Sequence, residues 1–294
     1  MSINIGFVGV GRMGLPMCAN LVAAGHDVVA HDLRPDVADA ARRSGARWAG
    51  DVAAAVADAD VVITMLPGPP EVEQAAAGIV AAMRPGTTWI EMSSSSPAAG
   101  TTIRTLAAER GVDVLEAPVG GGPAAARDGT LRLFVGGTAE LLARHRPVLE
   151  VLADPTQIRH VGGAGAGYTT KLLVNLLWFG QAVATAEALL LGKRAGIDLQ
   201  VLREAIGSSA ASSEFVRRDL DALFAGDYLR SFGLDRCCEE LGSITALARE
   251  HDVPFALSEL VEDVHRRALE RFGPVDGELL AVALLEQETG VELR

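Results

Sequence analysis

The hydrophobic pattern of residues 3–162 alternates between short apolar runs and longer amphipathic stretches. Short continuous apolar runs are typical of strands buried on both faces of a parallel sheet, and the amphipathic stretches between them are typical of crossover helices. The predicted strands are residues 3–8, 27–30, 60–65, 87–92, 112–116, 131–135 and 157–161. The predicted helices are residues 15–24, 35–44, 51–57, 71–83, 98–110 and 139–152. This alternation predicts an α/β domain with a doubly wound parallel sheet.

A long apolar stretch, residues 166–194, begins within a segment, residues 162–167, in which four of the six residues are glycine. It predicts a single helix of about 42 Å. Its apolar positions cover a face too wide for a helix that buries only one stripe. These positions are Leu172, Leu173, Leu176, Leu177, Val183, Leu189 and Leu190. We therefore expect the helix to be buried on several sides and to connect two domains.

The remaining residues, 195–294, show only helical patterns, over 200–208, 213–224, 232–251, 258–272 and 278–290. Their apolar faces are more numerous than about 100 residues can bury alone, which favours a homodimer or homotetramer. An all-helical C-terminal domain after a long connecting helix is the expected arrangement.

A glycine-rich motif follows the first predicted strand and opens a helix: GVGRMG, residues 9–14. Gly9 permits a tight turn, Gly11 lets the main chain approach a pyrophosphate, and Gly14 lets the helix pack closely on the strand. Asp32 ends the second strand, 18 residues after Gly14, where a carboxylate accepts hydrogen bonds from an adenosine ribose. The pattern predicts a Rossmann dinucleotide-binding domain. Asp32 favours NAD over NADP because it would repel a 2′-phosphate, although Arg34 nearby opposes this preference.

Polar loops follow three further predicted strands, at the sheet edge where ligands bind in this fold. One serine of the run Ser93–Ser96 is expected to cap the helix that Pro97 begins, and Ser94 is expected to reach the cofactor. Gly120, Gly121 and Gly122 offer bare main-chain N–H groups to a substrate, although a plain loop explains them as well. The residues expected to contact the cofactor are Gly9, Gly11, Arg12, Met13, Gly14, Asp32, Met65, Leu66, Pro67 and Ser94.

Lys171 and Asn175 lie one turn apart on the same face of the long predicted helix. A lysine just after a glycine-rich helix start, among apolar neighbours, is a place where the pKa of an amine is lowered into the range of an acid/base. The alternative is that Lys171 extends to solvent and Asn175 has no special role.

The composition excludes several classes of protein. The chain has 294 residues with a net charge of −12, which excludes a basic nucleic-acid-binding surface and does not suit an anionic membrane. We expect no transmembrane span, because the long apolar helix carries polar residues, and no signal peptide. The three cysteines do not form a disulfide framework and the histidines show no metal-ligand spacing. A reduced, cytoplasmic setting without a metal is expected.

Four segments resemble the β-hydroxyacid dehydrogenase family, which includes 3-hydroxyisobutyrate dehydrogenase and tartronate semialdehyde reductase. They are GFVGVGRMGLPMCANLVAAGH, EAPVGGGPAAARDGTLRLFVGG, GAGYTTKLLVN and FGLDRCCEEL, and the resemblance covers nearly the whole chain. It implies a dinucleotide-binding domain (1–162), an interdomain helix (163–194) and an all-helical substrate and oligomerisation domain (195–294). It also implies that Lys171 is the catalytic acid/base and that Asn175 holds the substrate or the lysine.

Four positions, at three places in the chain, depart from the family pattern. Gly120 stands where the family has a serine that binds a carboxylate, Val174 replaces the first of two asparagines, and Glu239-Glu240 replace a Lys-Asp pair. A carboxylate facing a carboxylate substrate in a dry site costs on the order of several kcal/mol. Either Arg236 supplies the missing cation, or the substrate carries a neutral or cationic group. We therefore assign Gly120, Gly121, Gly122, Arg236 and Glu239 to substrate recognition.

The function expected from these residues is reversible NAD-linked oxidation of a small hydroxy acid or related alcohol. Lys171 would exchange the hydroxyl proton while hydride passes to the cofactor. Two alternatives remain at this point: an imine reductase on the same scaffold, and a dinucleotide-binding protein without catalysis.

Overall fold

The computed structural model describes residues 2–294. They divide into two compact units, one ending at Lys171 and the other covering Leu172–Arg294. The boundary falls within one continuous helix, Ala166–Arg194, which has the predicted bounds.

The first unit contains a nine-stranded sheet in the order β3-β2-β1-β4-β5-β6-β8-β7, with β9 paired to β8. The strands are β1 (Asn4–Val8), β2 (Asp27–His31), β3 (Arg47–Trp48), β4 (Val61–Thr64), β5 (Thr88–Glu91), β6 (Asp113–Glu116), β7 (Val119–Gly120), β8 (Leu131–Gly136) and β9 (Ala153–Gly162). The run from β3 to β6 is entirely parallel. Strands β4 and β5 are buried at every residue, as their continuous apolar runs predict.

Seven helices cover the sheet of the first unit. They are α1 (Gly14–Ala23), α2 (Ala38–Arg43), α3 (Val52–Val56), α4 (Pro69–Ala82), α5 (Pro97–Glu109), α6 (Gly122–Asp128) and α7 (Ala139–Leu152). Three begin at a side chain that accepts a hydrogen bond from a main-chain N–H three residues on. These caps are Asp51 for α3, Ser96 for α5 and Thr138 for α7. Such caps satisfy N–H groups that a helix start leaves unpaired.

The α/β prediction is confirmed, with two corrections around β8. Strand β8 runs antiparallel to β6 and β7, so the sheet is mainly rather than wholly parallel. The glycine triplet is also not a plain loop. Gly120 pairs with Arg132 in the sheet, and Gly121, with φ of 111°, caps helix α6. The sequence pattern missed α6 because its seven residues are too few to show a helical period.

The second unit is helical, as predicted. Its helices are most of α8 (Ala166–Arg194), α9 (Leu199–Gly207), α10 (Glu214–Arg218), α11 (Leu220–Phe224), α12 (Leu234–Glu250), α13 (Ala256–Phe272) and α14 (Leu280–Thr289). The predicted helix over 213–224 is interrupted at Asp219. The Asp219 carboxylate accepts a hydrogen bond from the indole of Trp178 at 2.9 Å, and this contact favours a break that the local pattern does not show.

The apolar face of α8 is only partly covered. Leu172, Leu176 and Leu189 are buried, whereas Leu173 is 41% exposed and Leu177 is 64% exposed. The helix is therefore buried along part of its surface and exposed along the face that carries Leu173 and Leu177. Among the described residues, α8 alone is long and apolar enough to cross a membrane by length and composition, a test that core helices also pass.

Candidate active site

The glycine-rich loop lies at the carboxyl end of β1 and leads into α1. Gly9 has φ of 95°, and a Cβ there would lie 2.3 Å from the main-chain oxygen of Met65. A Cβ at Gly14 would lie 1.8 Å from the oxygen of Gly9. Only glycine fits either position, because one requires a left-handed turn and both involve main-chain contact.

A dinucleotide pyrophosphate fits this loop. A Cβ at Gly11 would meet only the end of the flexible Arg34 side chain, at 3.4 Å, so its position opens onto space that a ligand can enter. Helix α1 has no acidic residue in its first turn and no side-chain cap. The N–H groups and the positive dipole end at its N-terminus can therefore bind an anion. Arg12 is exposed and Met13 is half-buried in the same loop.

Asp32 directly follows β2 and binds main-chain N–H groups of its own loop and of the glycine-rich loop. Its carboxylate accepts hydrogen bonds from the N–H of Val10 at 3.0 Å and from the N–H of Arg34 at 2.9 Å. The Arg34 guanidinium pairs with it at 3.1 Å. Burial disfavours the charge, but the bonds from Arg34 and Val10 outweigh it and hold the pKa of Asp32 below its ordinary value. Asp32 is thus charged at neutral pH beside the glycine-rich loop.

The loop after β4 contains Met65 and Leu66, both half-buried, and Pro67, which is exposed. The N–H of Leu66 donates to the hydroxyl of Ser93 at 2.8 Å. Ser93 is fully buried and its own N–H donates to Glu91. Ser94, the predicted cofactor contact, is half-buried. Ser93 is therefore the serine that holds the loop, a role that the sequence pattern did not distinguish within the run.

Glu91 is a buried carboxyl group at the end of β5. Its Oε1 accepts hydrogen bonds from Thr64 at 3.2 Å and from the Ser93 N–H at 2.9 Å. Its Oε2 and the buried hydroxyl of Tyr168 make no short hydrogen bond among the described residues, but the two side chains interact, and the hydroxyl favours the charged form of Glu91. Burial raises the pKa of Glu91 to about 7, although Ser93, the hydroxyl of Tyr168 and Thr64 each favour the charged form. Glu91 is not among the residues predicted for the site, because a glutamate at a strand end gives no sign of burial in the sequence.

The substrate residues proposed from the glycine triplet lie at the start of α6. Gly120 is half-buried in β7, and a Cβ there would have its nearest neighbours, in Arg132 and Phe134, at 3.7 Å. A serine side chain would therefore fit this position without strain. Gly122 has a φ of 68°, and a Cβ there would have no neighbour within 4 Å, so its surroundings are open.

Lys171 and Asn175 lie one turn apart on α8, as the sequence predicts. The Asn175 amide donates a hydrogen bond of 2.6 Å to Oε2 of Glu240. Glu240 is only 6% exposed, and its other oxygen, Oε1, is buried without a partner among residues 2–294. A buried carboxylate oxygen without a partner is costly, so its presence calls for an explanation. In the sequence, Glu240 stands out only as part of the Glu239-Glu240 pair and has no predicted role of its own.

Arg236 and Glu239 lie one turn apart on α12. The guanidinium donates to Glu239 at 2.8 Å and lies 3.7 Å from Asp235. The positive charge of Arg236 is therefore offset by two carboxylates on its own helix. No group of three or more metal-ligating side chains occurs in the described part of the chain.

Two family models cover most of the sequence. Residues 4–162 match the NAD-binding domain of 6-phosphogluconate dehydrogenase. Residues 165–285 match a domain described as the NAD-binding domain of NADP-dependent 3-hydroxyisobutyrate dehydrogenase.

Individual relatives agree with these matches. The chain is 33% identical over 267 residues to 2-(hydroxymethyl)glutarate dehydrogenase of Eubacterium barkeri, covering 90% of this chain and 88% of the relative. It is 39% identical over 213 residues to the NAD-dependent L-serine dehydrogenase of Pseudomonas aeruginosa, covering 71% of each. The structure of Mycobacterium tuberculosis 3-hydroxyisobutyrate dehydrogenase with L-serine aligns at a TM-score of 0.88 and 32% identity, covering 97% of this chain and 99% of that one. The chain belongs to the β-hydroxyacid dehydrogenase family and is an NAD(P)-dependent oxidoreductase that acts on CH–OH groups.

Proposed function

We propose that this enzyme uses NAD to oxidise a small hydroxy acid, with Lys171 as the acid/base. The observation that carries the proposal is the position of Lys171 near the start of α8, with Asn175 one turn further along the same face. Both follow a complete dinucleotide-binding motif in the chain. Lysine is one of the few side chains that can exchange a proton with an alcohol near neutral pH once its surroundings lower its pKa.

The residues have distinct roles in this reaction. The bound nicotinamide supplies the hydride acceptor. Lys171 takes the hydroxyl proton during oxidation and returns it during reduction. Asn175, held by Glu240, orients the substrate or the lysine. The N–H groups of Gly121 and Gly122 bind the substrate head group.

The charges on α12 favour a substrate with a cationic group. Glu239 and Asp235 offset Arg236, so this arginine is not a free anchor for a second carboxylate. Glu240 retains an oxygen without a partner among the described residues, and an ammonium group would satisfy it. Two of the relatives are named for L-serine or were solved with it. We infer that the substrate is a 2-amino-3-hydroxy acid or a similar amino alcohol.

A substrate screen tests this inference. L-serine is expected to be oxidised with a higher kcat/KM than a 3-hydroxy acid that lacks the amine, and cyclic imines are not expected to be reduced. Glu240→Gln should lower kcat/KM for serine on the order of 30-fold, because it removes the partner of a buried cation. The hydroxy acid without the amine should be affected much less. If Glu240→Gln lowers kcat/KM equally for both substrates, Glu240 does not recognise the ammonium group.

The preference for NAD is tested by calorimetry. Wild-type protein is expected to bind NAD at least about tenfold more tightly than NADP, because the ionised Asp32 repels a 2′-phosphate. Asp32→Ala should narrow or reverse this ratio, since it also releases Arg34 to attract the phosphate. Asp27→Ala is the matched control, because Asp27 forms a similar pair with Arg47 at the other end of the same strand. Equal NAD and NADP affinities in wild-type protein would contradict the assignment.

We also propose a cytoplasmic homodimer or homotetramer. The exposed apolar residues of the second unit support self-association, because burying large apolar side chains against another subunit removes them from water. They include Leu173, Leu177, Leu257 and Leu260.

A further inference from the structure

A second buried carboxylate holds the start of α8. Glu116, at the end of β6, is 1% exposed, and both of its oxygens accept the N–H of Gly165, at 2.7 and 2.9 Å. Burial raises the pKa of this group, while the N–H groups of Gly165, Gly167 and Tyr168 and the charge of Arg104 oppose the rise. The carboxylate therefore does for α8 what an N-cap side chain does for other helices, but it comes from a strand 49 residues away in sequence.

Two facing glycines permit this contact. A Cβ at Gly136 in β8 would lie 2.6 Å from both Glu116 Oε2 and the nitrogen of Gly167. A Cβ at Gly167 would lie 2.8 Å from the main-chain oxygen of Phe134. The first turn of α8 thus packs on β8 through main chain alone, and any side chain at either position would push the helix away from Glu116.

Helix α5 completes the arrangement from the other side. Arg104 donates a hydrogen bond to Glu116 Oε1 and supplies the opposite charge. The ring of Tyr168 packs against Gly100, one turn earlier in α5. A Cβ at Gly100 would lie only 2.7 Å from that ring. Three elements of the first unit therefore converge on residues 165–168, immediately before Lys171.

We propose that Glu116 is a positioning residue for Lys171: by capping α8 it sets the direction of the first turns and so the place of the amine. The inference rests on the proposed role of Lys171. Beyond Leu172 the helix packs in the apolar core of the second unit. Loss of the cap should therefore loosen the first turn without unfolding the rest of the helix.

Glu116→Gln is the central test. Glutamine is isosteric, but its NH2 group would face the N–H groups of the helix start or the Arg104 guanidinium, and donors repel one another. We expect kcat for the best alcohol substrate to fall about tenfold to 100-fold, since small displacements of a catalytic group have effects of this size. KM and the Kd for NAD should stay within about threefold, because the glycine-rich loop is untouched.

Amide hydrogen exchange gives a readout that does not depend on turnover. Exchange at residues 165–168 should accelerate at least about tenfold in Glu116→Gln, with little change in the later turns of α8. Glu286→Gln is the matched control. Glu286 is also a buried carboxylate that accepts a main-chain N–H, from Leu293, but it belongs to the second unit and makes no hydrogen bond to residues 165–168. It should leave both kcat and exchange at 165–168 unchanged.

The outcomes separate this inference from the proposed function. Faster exchange with unchanged kcat would overturn the positioning role and leave the role of Lys171 intact. If Lys171→Met retains turnover, the proposed chemistry fails, and the positioning role fails with it whatever the exchange data show. Should Glu116→Gln not fold, Arg104→Lys provides the second variant. Lysine keeps the positive charge but lacks the planar guanidinium donor. The proposal requires that kcat of Arg104→Lys falls as in Glu116→Gln while its affinity for NAD stays constant.

Discussion

Lys171→Met is expected to lower kcat for alcohol oxidation by about 10²- to 10⁴-fold, the usual contribution of a general acid/base. Methionine keeps the length and apolar character of the side chain and removes only the proton-exchanging amine. NAD affinity should be unchanged, because the proposed cofactor site consists of the glycine-rich loop and Asp32 and does not include Lys171. Steady-state kinetics at saturating NAD, with calorimetry for the cofactor, measure both quantities.

A matched control exists on the same helix. Lys193 lies in the last turn of α8, where its amine donates to the main-chain oxygens of Glu292 and Arg294. Lys193→Met removes an equivalent charge far along the helix from the proposed site and should retain wild-type kcat. Near-normal turnover in Lys171→Met, or equal losses in the two variants, would refute the acid/base assignment while leaving the family and the cofactor site in place.

Glu91→Gln is expected to stabilise the protein at pH 8 on the order of 2 kcal/mol and to have little effect at pH 5. Burial raises the pKa of Glu91 to about 7, from an ordinary value of 4.5. The folded state therefore holds this proton more tightly than the unfolded state. The stability associated with the proton is complete below pH 4.5 and is lost as the pH rises through about 7. At pH 8 the wild-type protein carries a buried charge that the amide avoids.

The glutamine side chain of Glu91→Gln fits the surroundings of Glu91. Its oxygen can replace Oε1 as the acceptor for Thr64 and Ser93, and its NH2 group can face the hydroxyl of Tyr168, which accepts as well as donates. Because Ser93 stays held, the loop at Leu66 should keep its position. Urea unfolding of both proteins at pH 5, 6, 7 and 8 measures the effect. A stability difference that does not vary with pH would show that Glu91 does not titrate in this range.

Much of the fold was predictable because its causes are local in sequence. The strands buried on both faces are continuous apolar runs, and α7 has the predicted bounds, Ala139–Leu152, despite an internal proline. The turn at Gly9 and the close packing at Gly14 follow from a motif within six residues. The spacing of Lys171 and Asn175 places them on one face of any helix, so their alignment needed no tertiary information.

The sequence by itself thus determined the α/β and helical regions, the dinucleotide motif and the alignment of the two proposed catalytic residues. Only the tertiary structure decided that Glu91, Glu116 and Glu240 are buried. The physical reason is distance along the chain. Glu116 meets Gly165 across 49 residues and Glu240 meets Asn175 across 65. A local pattern of polar and apolar positions records neither the burial of a carboxylate nor the donors that stabilise it.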